Sequence, residues 1–148
     1  MKRLVIIAGF FSLIHAASLM AQEAEAQTNK LAITKGKVQA FGEWLQIPAG
    51  FTEVYQSGST VFFSQSVSGE KQMYALVKKI QAVYKGKKIL GKKVPAFKKD
   101  EQPGFAAITW KASGCKPGEA GPEISISGDR RELTVSVYIS PTCAKPME

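Results

Sequence analysis

The stretch Ile124-Ser125-Ile126-Ser127-Gly128-Asp129-Arg130-Arg131-Glu132-Leu133-Thr134-Val135-Ser136-Val137-Tyr138-Ile139-Ser140 decides the fold class. Ile124 and Ile126 alternate with serines. Leu133, Val135, Val137 and Ile139 then alternate with Thr134, Ser136, Tyr138 and Ser140. A period of two sends one face to a core and the other to solvent. Gly128-Asp129-Arg130-Arg131 carries turn chemistry, so the segment predicts a half-buried antiparallel hairpin.

The pattern extends upstream. Phe51 to Gln56 and Thr60 to Ser66 read as two strands joined by Ser57-Gly58-Ser59, with bulk from Val61, Phe62 and Phe63. Phe105 to Lys111 reads as a strand ending at Trp110, after a turn at Asp100-Glu101-Gln102-Pro103-Gly104. Leu31 to Pro48 is largely extended, with Phe41, Trp44, Leu45 and Ile47 as core candidates. Residues 70–84 admit two readings. Met73, Leu76, Val77, Ile80, Val83 and Tyr84 fall at helical spacing before Gly86. A strand with Leu76, Ile80, Ala82 and Tyr84 on one face fits as well, although Lys78 interrupts that face. The fold class expected is mainly β, a small antiparallel β-barrel or sandwich, with 70–84 as the one place for a helix.

The start of the chain reads as an address. Lys2 and Arg3 precede an apolar run from Leu4 to Ile14, followed by small residues at Ala16, Ala17, Ala21 and Ala26. That is the order of a secretory signal peptide, and the run is too short for a stable membrane span. The organisation expected is a signal at 1–21, a polar disordered leader at 22–30 and one β-rich domain at 31–148, with Ala26 as the alternative exit. Such a product is periplasmic or secreted and has no transmembrane anchor.

In an oxidising compartment the two cysteines, Cys115 and Cys143, are most simply one disulfide. Closing that loop contributes about 3 kcal/mol in the chain-entropy picture. His15, the single histidine, lies in the signal, so the exported part has none. This removes Ser-His and Cys-His catalysis and every His-ligated metal site. No cofactor and no metal are expected.

Two Ser-x-x-Lys spacings occur, Ser68 to Lys71 and Ser113 to Lys116. The second runs into Pro117 and Gly118, which cannot continue a helix, and the companion motifs of acyl-transfer enzymes are absent. Asp100 and Glu101 form an adjacent carboxylate pair in a turn, with nothing to split their pKa values into acid and base. No catalytic residue is assigned, and the chain reads as a non-enzyme.

Charge is the remaining feature. The whole chain carries +8, yet residues 70–99 hold ten lysines against Glu70 alone. Lys78, Lys79, Lys85, Lys87, Lys88, Lys92, Lys93, Lys98 and Lys99 are the candidate partner-binding residues. They suit an acidic envelope component or an acidic protein surface. The segment has no arginine for bidentate base or phosphate contacts, and nucleic acid is not expected.

Tyr74-Ala75-Leu76-Val77-Lys78-Lys79-Ile80-Gln81-Ala82-Val83-Tyr84-Lys85-Gly86-Lys87, followed by Lys92 to Phe97, Cys115, Ile124 to Ile139 and Cys143, resembles netrin-like domains of the metalloproteinase-inhibitor type. The resemblance covers about residues 60–143. It implies a five-stranded oligonucleotide-binding-type barrel, and it makes 74–84 a strand. The amino-terminal Cys-x-Cys of inhibitory members is absent here, so inhibition by that route is not implied. Trp110 to Cys143 is also similar to a β-rich, non-catalytic accessory domain of a bacterial protease complex. Two functions are therefore expected in order. The first is an exported binding or accessory module with a Lys-rich face. The alternative is a secreted inhibitor or protease-complex subunit acting through loops such as 113–122.

Overall fold

Ile124 lies opposite Ile139 and Ile126 opposite Val137, in the register that alternation demands. The computed structural model describes residues 27–89, 91–100, 106–113 and 123–140. In chain order the first strands are β1 (Thr28–Leu31), β2 (Lys37–Ala40), β3 (Glu43–Gln46), β4 (Val54–Ser57) and β5 (Thr60–Ser66). Helix α1 (Glu70–Tyr84) follows. The rest are β6 (Lys88–Ile89), β7 (Lys92–Lys93), β8 (Lys98–Asp100), β9 (Ala107–Ser113), β10 (Glu123–Asp129) and β11 (Thr134–Ser140).

The protein is mainly β, as its alternating segments predict. A seven-stranded antiparallel sheet runs β1-β4-β5-β11-β10-β9-β8, beside two small hairpins, β2-β3 and β6-β7. No closed barrel is found among the described residues, since β1 and β8 stand at the two ends of the order.

Residues 70–84 are a helix, which corrects the strand implied by the netrin-like resemblance. Met73, Val77, Ile80 and Tyr84 are its buried residues, and their spacing makes a single stripe along a 3.6-residue repeat. A strand would put Lys78 on the same face as Ile80. The helix leaves Lys78 exposed. Ser68 prepares the start, its N–H and its hydroxyl both bonding Gln72 Oε1, at 2.6 and 2.8 Å. Gly86, at φ +73°, supplies the left-handed residue just past the end.

The stripe packs on one face of the sheet, over β10 and β11. That face presents Val61, Phe63, Ile124, Ile126, Val135, Val137 and Ile139, all at 3 % exposure or less. Gly128 belongs to β10, which corrects its reading as a turn residue. The turn falls on Arg130 to Leu133 instead, where Asp129 Oδ1 accepts the Arg131 and Glu132 N–H groups at 2.7 and 3.1 Å. Gly128 marks a close helix–sheet approach: a β-carbon there would lie 2.7 Å from Met73 Sδ.

The opposite face is open. Tyr55, Phe62 and Tyr138 form a row across β4, β5 and β11, with near-parallel rings 5.6 and 6.3 Å apart. Hydroxyl pairs Thr60–Ser140 and Thr109–Ser127, each at 3.0 Å, lie across neighbouring strands.

Two further expectations change. Thr28 to Lys30, read as the end of a disordered leader, pair with β4 as an edge strand. Their side chains are exposed, so backbone hydrogen bonds rather than burial hold them, and an apolar pattern has nothing to report. Trp44, read as core, is 55 % exposed. Leu45 and Ile47 are buried at alternate positions, and strand geometry sends Trp44 the other way.

Candidate functional site

The sequence-predicted lysines are all exposed, but they divide into three groups. Lys78 and Lys79 lie on the outer side of α1. Lys98 and Lys99 lie on β8 at one end of the sheet order, where lysine deters pairing with another chain. Lys85, Lys87, Lys88, Lys92 and Lys93 surround the junction of α1 with the β6-β7 hairpin.

That junction is tightly defined. Lys85 N–H donates to the Gln81 carbonyl at 2.8 Å and Lys87 N–H to the Tyr84 carbonyl at 3.0 Å. Gly86 N–H donates to the Val94 carbonyl at 2.9 Å, and Val94 N–H to the Lys87 carbonyl at 2.7 Å. The chain leaving the helix is thereby zipped to the far strand of the hairpin. One result is that Lys88 lies directly opposite Lys93. Like charges at that position repel, since opposed β-carbons are only about 5 Å apart. Neither ammonium has a carboxylate partner among the described residues.

A groove of about 560 Å³ opens beside this junction, between the β2-β3 hairpin and the C-terminal end of α1. Lys37, Trp44, Gln46, Lys87 and Lys88 contribute its polar and aromatic lining, and no carboxylate residue lines it. The sequence reading did not find Lys37 or Trp44. Both lie far from the Lys-rich segment along the chain, and the alternation around Leu45 was the one signal that turned Trp44 outward.

Two turns shape the groove wall. Phe41 and Gly42, at φ +56° and +79°, make the tight connection between β2 and β3. Gln46 Nε2 donates to the Gly36 carbonyl at 3.1 Å, tying β3 to the turn before β2. From below, the Tyr84 hydroxyl donates to the Gln46 main-chain carbonyl at 2.6 Å. Tyr84 is 2 % exposed, and this burial pushes its hydroxyl pKa well above the ordinary tyrosine value. It therefore stays a neutral donor. A focused positive field in a cleft with an aromatic rim is suited to holding an anion-bearing ligand.

The other singled-out residues lie elsewhere. The Ser68 hydroxyl is engaged by Gln72 at the start of α1. Asp100 sits 3.5 Å from Lys111, which also meets Glu123 at 3.7 Å. Cys115, Cys143, Lys116, Glu101 and loop residues 114–122 lie outside the described residues, as does the signal segment. Among the described residues no group of three His, Cys, Asp or Glu is placed to hold a metal, and no helix is long and apolar enough to cross a membrane.

Comparison with protein-family models, with curated proteins and with solved structures finds no match to this chain.

Proposed function

We propose that the chain is an exported, non-enzymatic binding module that takes an acidic partner at the α1–β6 junction. The observation that carries this reading is the Lys88–Lys93 opposition beside a groove lined by lysines and no carboxylate residue. Holding like charges face to face costs stability, and an anion between them removes that cost. The Lys78, Lys79, Lys98 and Lys99 groups extend the positive field and speed encounter, while the groove gives the contact its place.

The test uses the exported form of the chain and polyglutamate as a defined polyanion, titrated at low and high salt. Affinity is expected to fall steeply as salt rises, because the contacts are exposed and screened. Replacing Lys85, Lys87, Lys88, Lys92 and Lys93 together by Gln is expected to abolish binding while thermal unfolding stays cooperative. Binding unchanged by those five substitutions would refute the proposal.

A further inference from the structure

The geometry points to an anionic polysaccharide as the acidic partner. This rests on the reading above and concerns the same groove. One sugar ring lies on the indole of Trp44, and its carboxylate or sulfate groups meet Lys37, Lys87 and Lys88.

Three observations carry the inference. The first is Trp44 itself. An indole 55 % exposed at the lip of a groove is a large apolar plane that the core does not use. A pyranose offers a matching surface, because its axial C–H bonds make one face apolar while its hydroxyls point outward. The second is the charge lining. Lysines are point charges on flexible stems, suited to carboxylates and sulfates spaced along a polymer rather than to one planar anion. The third is Gln46. Gln46 lines the groove with its Nε2 committed to the Gly36 carbonyl, so its amide oxygen is the group that can accept from a hydroxyl donor. An apolar plane, adaptable positive charges and a hydroxyl acceptor in one cleft correspond to the parts of a charged sugar.

The groove's size agrees. Its 560 Å³ falls within the range of small-ligand sites, about 300–1,000 Å³, and the groove is open to solvent rather than enclosed. A planar lipid surface would meet the rim and leave the groove floor unused. An acidic peptide satisfies the lysines but gives the indole no preferred partner.

The experiment compares three probes of similar charge: a sulfated glycosaminoglycan octasaccharide, a polyglutamate peptide and an oligothymidylate. Titrations use the exported form of the chain at fixed moderate salt. The octasaccharide is expected to bind most tightly. Trp44→Ala is expected to weaken it about tenfold, the scale of one lost stacked ring, and to leave polyglutamate binding unchanged. Trp44→Tyr, which keeps a ring, is expected to retain part of the preference, and matched unfolding curves exclude a folding defect. If polyglutamate or oligothymidylate binds as tightly as the octasaccharide, or if Trp44→Ala weakens all three equally or none, the polysaccharide assignment is overturned while the anion site stands. If no probe binds the unsubstituted protein, the anion site itself is overturned.

Discussion

The Tyr84 hydroxyl, on the last residue of α1, donates a 2.6 Å hydrogen bond to the main-chain carbonyl of Gln46 on β3. This bond joins the helix to the hairpin that carries Trp44, so both walls of the groove are fixed relative to one another. Tyr84→Phe keeps the ring and removes the donor. It is expected to cost about 1 kcal/mol, read from the denaturant midpoint.

The same residue sets a pH dependence. Burial raises the Tyr84 pKa in the folded protein, whereas the unfolded chain loses the proton near the ordinary value of 10.0. Above that pH the unfolded state binds fewer protons than the folded one, so stability falls as pH rises. Unfolding curves taken at rising alkaline pH are expected to converge for wild type and Tyr84→Phe, because the variant lacks this contribution. Parallel curves would show that the phenol is not the group responsible.

Gly128 and Met73 give a second prediction. A methyl group at Gly128 would overlap the Met73 thioether, and because Met73 is fully buried its side chain must shift within the core to make room. Gly128→Ala is expected to destabilise by about 1–3 kcal/mol, the usual cost of overpacking. Combining it with Met73→Ala is expected to shrink the penalty of the glycine change, since the second substitution removes the obstructing atoms. A double-mutant cycle in denaturant reads the coupling, and simple additivity would show that the helix and sheet do not meet there.

The cysteines give a third. Ser113 and Ser140 lie on either side of Glu123 in one row across β9, β10 and β11. They are two strand spacings apart, about 10 Å, and the chain runs off both strands at the same end of the sheet. Cys115 follows Ser113 closely and Cys143 follows Ser140 closely, within the reach that two or three extended residues provide. Protein isolated from an oxidising compartment is expected to show no titratable thiol when denatured without reductant. Reduction is expected to lower its denaturation midpoint. Two titratable thiols in the unreduced protein would contradict the pairing.

The central hairpin was legible because burial on one face leaves a period-two imprint along both β10 and β11, on either side of the turn. The helix was half legible. Its buried stripe, Met73, Val77, Ile80 and Tyr84, is written in the sequence, but a fifteen-residue run with several apolar residues also supports a strand until tertiary packing chooses. β1 was illegible because an edge strand held by backbone bonds needs no apolar code. The turn after β10 was misplaced because glycine was read for conformational freedom when its role is to leave room for Met73. As for the groove, its lysines were legible as charge. Their meeting with Lys37 and Trp44 was not, because it depends on how β2-β3 sits against the end of α1.

The pairing of β5 with β11 sets when this molecule can be completed. Ser66 meets Thr134 and Val61 meets Ile139, so two neighbouring strands are separated by most of the chain's other elements. In the strand order, β1, β4 and β5 join β8, β9 and β10 only through that seam. Contacts between such remote segments form slowly. Until β11 is available the two halves have nothing to close on, so the seven-stranded sheet is finished only when that last strand enters between β5 and β10.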